Sequence, residues 1–177
     1  MSSRLNGSLA SVALAVLARA VLALAVLALV LSFPPAVLAQ GPTPFANFHG
    51  SWTGNGTITL SSGATERIRC RAKYVIENSD RNMQQELRCA SDSYKFEVNS
   101  NIDYSAGSVY GTWAEITRNV SGAVNGTAAG NHIEARVAGG PFTAALSLTT
   151  TGNAQAVTIR PTGTDVTTVT ISLQRGK

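Results

Sequence analysis

The residue types that could carry chemistry are few in this chain, and histidine and cysteine are the scarcest. Two histidines, His49 and His132, and two cysteines, Cys70 and Cys89, occur among 177 residues. Neither histidine has a ligand partner at the spacing of a zinc site, so no metal and no cofactor are expected. His132 and Glu134 share one strand face and have the types of an acid/base pair, but a solvated strand edge is the commoner setting for such a pair. The sequence therefore predicts a protein that is not an enzyme.

The spacing of the two cysteines predicts a disulfide across a β-hairpin. A two-residue turn at Ser79-Asp80 would place residues whose numbers sum to 159 opposite each other. Cys70 and Cys89 meet that condition. Directly opposed residues approach to about 4.5–5.5 Å between their Cα atoms, which is within the reach of a disulfide. The alternative is two buried free thiols.

The same register collects positive charge on the other face of the hairpin. Arg67, Arg69, Arg71 and Lys73 alternate with apolar residues on one strand, and Arg88 lies opposite Arg71. We call these five residues the basic stripe. Such a stripe either keeps the outer surface charged, which protects strand edges from aggregation, or binds an acidic component of the cell envelope or an acidic protein. Nucleic acid is not an expected partner, because no aromatic side chains interleave with these bases.

The elements that must position these residues are β-strands. Short segments of alternating apolar and polar residues recur between Gly, Asn, Ser and Asp turn signals, and no helical period is present. Ten strands with short connections predict an all-β antiparallel meander, and a sheet that long is expected to close into a barrel. A flattened β-sandwich is the alternative. The predicted strands cover 50–60, 66–77, 82–91, 93–102, 107–117, 119–128, 131–138, 141–151, 154–160 and 165–175.

The interior of such a barrel is the candidate binding site. Ten strands enclose more space than small side chains fill, and Gly54, Gly56, Ala72, Ala135 and Ala144 fall at inward positions. The sequence therefore predicts space for a small apolar ligand, with a fully packed core as the alternative. The residues expected to contact the ligand are Trp52, Ile68, Tyr74, Phe96, Phe142 and Leu146.

The first forty residues predict export. Residues 9–31 are almost entirely Ala, Leu and Val and contain no acid, while Arg4 and Arg19 supply the positive charge of a signal peptide. Pro34-Pro35 ends the apolar run just before the small-residue site Ala36-Val37-Leu38-Ala39. Cleavage is expected after Ala39, and a retained N-terminal anchor is the alternative.

This cleavage would divide the chain into a signal peptide over 1–39, a loose segment over 40–48 and one β-barrel domain over 49–177. The leader holds two of the fourteen basic residues and none of the ten acidic ones. The mature chain is therefore only mildly basic, unlike a dedicated nucleic-acid binder. We expect it in the periplasm or outside the cell, with no membrane span after processing.

Gly50-Ser51-Trp52, at the start of the first predicted strand, resembles the Gly-x-Trp motif of the calycins, the lipocalin-like barrels. The resemblance implies that Trp52 plugs one end of the barrel and that an arginine from a late strand, Arg160 or Arg175, packs across it. The chain departs from the family pattern because it has no C-terminal helix and no helix pair after the first strand. A second Gly-x-Trp occurs at Gly111-Thr112-Trp113. The run over 87–94 is similar to that of small exported bacterial proteins of unassigned activity.

The predicted barrel and its charged outer surface are consistent with two functions. The first is an exported β-barrel protein that holds a small apolar molecule without catalysis. The second is an exported interaction or inhibitor module that acts through its outer surface, including the basic stripe. Small β-barrel inhibitors of secreted hydrolases share the size, the signal peptide and the single disulfide, and these shared features support the second function.

The processing prediction is tested by intact mass. Exported protein is expected to begin at Gln40 and to contain no free thiol, because Val37 and Ala39 form a small-residue cleavage site and an exported cysteine pair oxidises. Mass spectrometry before and after alkylation measures both properties. A retained leader, or two cysteines that alkylate in the native protein, would contradict this expectation.

Overall fold

Ten antiparallel strands form a closed barrel in which every strand pairs with its neighbours in the chain and the first pairs with the last. The structure is a computed structural model that describes residues 43–176, so the predicted signal peptide and its cleavage site lie outside the described residues. The strands are β1 (Gly50–Leu60), β2 (Thr65–Glu77), β3 (Asn82–Ala90), β4 (Lys95–Ser105), β5 (Ser108–Glu115), β6 (Val120–Ala129), β7 (His132–Gly139), β8 (Phe142–Thr151), β9 (Ala154–Thr162) and β10 (Val166–Arg175).

The closed barrel confirms the predicted all-β meander, and the sheet does not flatten into a sandwich. Alternating side chains explain why these segments form strands, since each strand places its apolar positions inward and its polar positions outward. Strand ends differ from the predicted ones by at most three residues. The largest difference is at β4, which continues to Ser105 because Ile102 and Tyr104 extend its inward apolar row. Within residues 43–176, no helix is long and apolar enough to cross a membrane.

The hairpin of β2 and β3 has the predicted register. Cys70 lies opposite Cys89, the two form a disulfide, and both are almost fully buried. Asn78, Ser79 and Asp80 all have positive φ angles, of 54°, 54° and 63°. The Arg81 amide donates to the carbonyl oxygens of Glu77 and Asn78, so the chain reverses at the predicted position. The cross-link closes a loop of 19 residues, which stabilises the fold by about 3 kcal/mol in the chain-entropy model.

Glycines bend the barrel wall at inward positions. A Cβ atom at Gly54 would lie 1.9 Å from the carbonyl oxygen of Ser172, and one at Gly122 would lie 1.8 Å from that of Ala138. No larger residue fits there, because the neighbouring strand approaches too closely. The expectation that inward glycines such as Gly54 create interior space is therefore wrong: backbone from the adjacent strand fills that space.

One end of the barrel is closed by the segment that precedes β1. Residues 44–48 form turns, and Phe45 and Phe48 are completely buried. This part of the segment predicted to be loose is therefore packed, because its two phenylalanines enter the core. Trp52 is also completely buried, and its indole Nε1 donates a hydrogen bond of 2.8 Å to the carbonyl oxygen of Phe48.

Arg175 completes this plug from the other end of the chain. It is the partner of Trp52 in the β1–β10 register, and its guanidinium carbon lies 4.8 Å from the centre of the Trp52 ring, a cation–π arrangement. The same guanidinium donates a hydrogen bond to the carbonyl oxygen of Asn47. Arg160, the other candidate, is exposed because it follows the inward Ile159 and so points out of the barrel.

The plug predicts unequal costs for the same substitution at the two tryptophans. Trp52→Phe removes the buried donor to Phe48 and is expected to lower the free energy of unfolding by about 1–3 kcal/mol beyond the cost of Trp113→Phe. Trp113 is the matched control, because its indole makes only a 3.4 Å hydrogen bond, to Ala138. Urea denaturation of both variants measures the difference. Equal costs would show that the hydrogen bond of the plug contributes nothing.

Candidate functional site

The barrel interior contains two adjacent apolar chambers that share four lining residues. The inner chamber, towards the plug, has a volume of about 140 Å³, and the outer chamber, towards the open end, has about 310 Å³. The outer volume alone is at the lower end of the range of about 300–1,000 Å³ typical of ligand pockets. The core is therefore not packed solid. Four residues line both chambers, and we call them the waist: Phe96, Val98, Trp113 and Ile159.

The inner chamber has an apolar wall and a polar floor. The Tyr74 hydroxyl donates a 2.7 Å hydrogen bond to Gln155 Oε1 and accepts one of 3.3 Å from Gln85 Nε2. Ser100 donates to Gln85 Oε1 at 2.9 Å, and Gln155 Nε2 donates to Thr150 at 3.2 Å. These five side chains form one chain of hydrogen bonds from β4 to β8. The floor therefore satisfies its own polar groups without a ligand.

The floor is also uncharged. Burial raises the pKa of Tyr74 far above its usual range, so the phenol stays neutral. Its ring packs edge-on against Phe48 and Trp52, with ring centres 5.4 and 6.4 Å apart, which joins the floor to the plug. Among the described residues that line the inner chamber, none carries a charge.

The outer chamber opens between the loops at the end of the barrel opposite the plug. Its rim includes Tyr94, Arg118 and Thr164, each from a different loop. Below the rim, Trp113 and Phe142 pack edge to face with their ring centres 5.4 Å apart. An apolar molecule that enters here meets aromatic side chains first and the waist beyond them.

A buried carboxylate shapes one side of this mouth. Glu115 accepts backbone hydrogen bonds from Glu97 at 3.1 Å, Thr117 at 3.3 Å and Arg118 at 2.6 Å, and a further one from the Thr117 hydroxyl. Burial acts to raise the pKa of Glu115, but these hydrogen bonds outweigh it and hold the pKa below its usual value. The group is therefore ionised and fixes the turn between β5 and β6.

The structure places the six predicted contact residues in two settings. Four line the chambers, whereas Trp52 and Ile68 are buried but line neither. Trp52 belongs to the plug, and Ile68 lies opposite Gly56, where its side chain would crowd any Cβ atom. The four lining residues are Tyr74, Phe96, Phe142 and Leu146.

Sequence reasoning missed several residues of the site. Glu115 carried a signal, because an acid there interrupts the inward row that contains Val109 and Trp113. Arg118 carried none, since it lies in a turn outside the strand alternation. Of the three inward alanines expected to leave space, Ala135 lines the inner chamber, whereas Ala72 and Ala144 are buried and line neither chamber.

The basic stripe lies on the outer wall, as the alternation predicted. Arg88 forms an ion pair of 2.9 Å with Glu97, and Lys73 lies opposite Glu86. Within residues 43–176, no acidic oxygen lies within 4.0 Å of a side-chain nitrogen of the other four members. A shallow cleft of about 1,000 Å³ runs beside Arg67 and Arg69. This face therefore carries positive charge that is only partly neutralised.

The histidine and its acidic neighbour lie on the barrel exterior. His132 Nε2 and Glu134 Oε1 are 2.8 Å apart, and His132 Nδ1 is 2.8 Å from the Thr149 hydroxyl. A hydrogen bond from Ser147, and next the contact with His132, lower the pKa of Glu134. The pair lies away from both chambers. Across the described part of the chain, no cluster of histidine, cysteine and acidic residues has the arrangement of a metal site.

The comparisons with known proteins concern the fold. The barrel is similar to the crystal structure of Rv2717c from M. tuberculosis, with a TM-score of 0.56 and 14% identity, over 82% of this chain and 100% of that one. It is also similar to the S-type phycobiliprotein lyase CPES from Guillardia theta, with a TM-score of 0.55 and 10% identity, over 75% and 90% of the two chains. No family model and no curated protein matches the sequence. These likenesses show the fold alone, a closed antiparallel β-barrel.

Proposed function

We propose that this protein is an exported carrier that holds a small apolar molecule inside its barrel. The observation that carries the proposal is the pair of apolar chambers, closed by the plug at one end and open at the other. Protein cores normally pack without voids of this size, so an interior with this much unfilled apolar surface indicates a binding site. A ligand that buries this surface would gain the hydrophobic free energy that the empty chambers forgo.

Export is part of the same proposal. The apolar N-terminal run with its small-residue site supports it, and so does the Cys70–Cys89 disulfide, because disulfides persist in oxidising compartments. The destination is the periplasm or the extracellular space. A carrier there would take up its ligand outside the cytoplasm.

We also propose that the barrel carries out no reaction on its ligand. One of the similar structures is named as a lyase, but a shared fold does not by itself carry an activity. Glu115 is the one acid among the described residues that line the chambers, and its oxygens already accept hydrogen bonds from the surrounding turn. An acid held ionised in this way has little tendency to transfer a proton. Mass spectrometry of ligand recovered after incubation would detect any conversion.

The carrier proposal predicts that narrowing the waist abolishes binding. Val98→Phe places a ring where the two chambers meet, so saturable one-to-one binding of a fluorescent fatty-acid analogue is expected for the natural protein and not for the variant. Because the ring enters unfilled space, the melting temperature should stay close to that of the natural protein.

Val75→Phe is the matched control. Val75 faces outward on β2 and lines neither chamber, so the same enlargement there should leave binding intact. A filled core would give a different result. The natural protein would not bind the analogue, and Val98→Phe would lower the free energy of unfolding by about 1–3 kcal/mol through overpacking. That outcome would contradict the carrier proposal.

The basic stripe supports a second candidate function, an interaction or inhibitor module that acts through the outer wall. The observation that favours it is the row of outward cations on β2, none of which forms an ion pair within residues 43–176. Strand geometry spaces alternate residues by about 7 Å, so the row suits a partner with repeated negative charge. The bound class would be an acidic envelope component or an acidic protein surface.

This second function predicts salt-sensitive retention on heparin. Arg69→Glu combined with Arg71→Glu should abolish retention and leave the melting temperature nearly unchanged, because both side chains are exposed. Arg136→Glu, an exposed arginine on β7, is the control for overall charge. If the double variant is retained as well as the natural protein, the stripe serves only to keep the surface charged.

A further inference from the structure

The charges that face the ligand space are confined to its mouth. Among the described residues that line the outer chamber, Glu115 is the only acid and Arg118 the only base, and the inner chamber has neither. A charged group on a ligand would lose its hydration at the floor and find only neutral side chains that already bond to one another. Any charged group therefore belongs at the mouth, and the apolar part of the ligand belongs below it.

The two charged residues at the mouth differ in what they still offer. The Glu115 carboxylate is nearly buried and accepts three backbone N–H groups and one hydroxyl, besides its contact with Arg118. Its charge is therefore satisfied within the protein. A cationic ligand would have to replace hydrogen bonds that hold the turn between β5 and β6.

Arg118 keeps donors for a ligand. Within the described range, its side-chain contacts all use Nη1, which lies 3.2 Å from the Lys95 carbonyl oxygen, 3.3 Å from the Thr117 hydroxyl and 3.5 Å from Glu115. These contacts anchor the guanidinium at the rim, while its side chain remains 56% exposed. The remaining N–H groups have the planar fork geometry that matches a carboxylate or phosphate.

We propose that the ligand is an amphiphile with an anionic head group, which binds with its tail in the chambers and its head group against Arg118. This inference rests on the carrier function and assigns the ligand class and its orientation. The anchored guanidinium selects the head group, and the waist receives the tail. An uncharged molecule of equal apolar length binds through the tail alone.

The test compares ligands that differ only in the head group. The assay measures how well decanoate, decanol and decylamine each displace a neutral fluorophore, N-phenylnaphthylamine, from the purified disulfide-bonded protein. Arg118→Gln is expected to weaken decanoate binding about tenfold, the size of one charge-assisted hydrogen bond at a half-exposed site, and to leave decanol binding unchanged. Arg118→Lys should recover part of the loss. Arg136→Gln, which makes the same charge change on the outer wall, should have no effect.

The outcomes separate this inference from the function on which it rests. If decanoate and decanol bind and Arg118→Gln affects both equally or neither, the head-group assignment is wrong while the carrier function stands. Preferential binding of decylamine would identify Glu115 as the head-group residue and overturn the assignment. If no ligand binds to the natural protein, the carrier function itself fails.

Discussion

The pairing of β1 with β10 is the interaction on which the rest of the structure depends. It runs from Trp52 opposite Arg175 to Leu60 opposite Val166 and joins strands from the two ends of the barrel domain. Without it the sheet would keep two long exposed edges and no enclosed interior. Closure removes the edges and creates the interior. The same register sets Arg175 against Trp52, so closing the sheet also assembles the plug.

The two ends of the barrel then have opposite properties. At the plug, aromatic rings close the barrel, and the neighbouring floor pairs the Tyr74 hydroxyl with Gln85 and Gln155 within the protein. At the mouth, a buried carboxylate organises a turn that holds an arginine at the rim. Under the proposed carrier function, this difference gives the interior a direction, with a ligand tail at depth and a charge at the rim. The basic stripe lies on the outer wall, and its residues line neither chamber.

The local part of this architecture could be read from the residue pattern. Strand positions follow from the alternation of side chains, and the Cys70–Cys89 pairing follows from a short turn, because a hairpin register depends only on nearby residues. The choice of Arg175 over Arg160 was also accessible, since Arg175 continues the inward row of Leu173 whereas Arg160 alternates out of it. Four of the six predicted contact residues line the chambers for the same reason: alternation decides which face a residue occupies.

What the sequence determined by itself was therefore the set of strands, the face on which each side chain lies and the hairpin that carries the disulfide. Only the tertiary structure decided where space remains inside. Ala72 and Ala144 face inward but line neither chamber. Backbone of the neighbouring strand occupies the space beside inward glycines such as Gly54. Both results depend on how closely the strands approach one another. Arg118 belongs to the mouth because barrel closure brings its turn beside the loops of other hairpins. Such contacts join residues far apart in the chain, and strand periodicity carries no information about them.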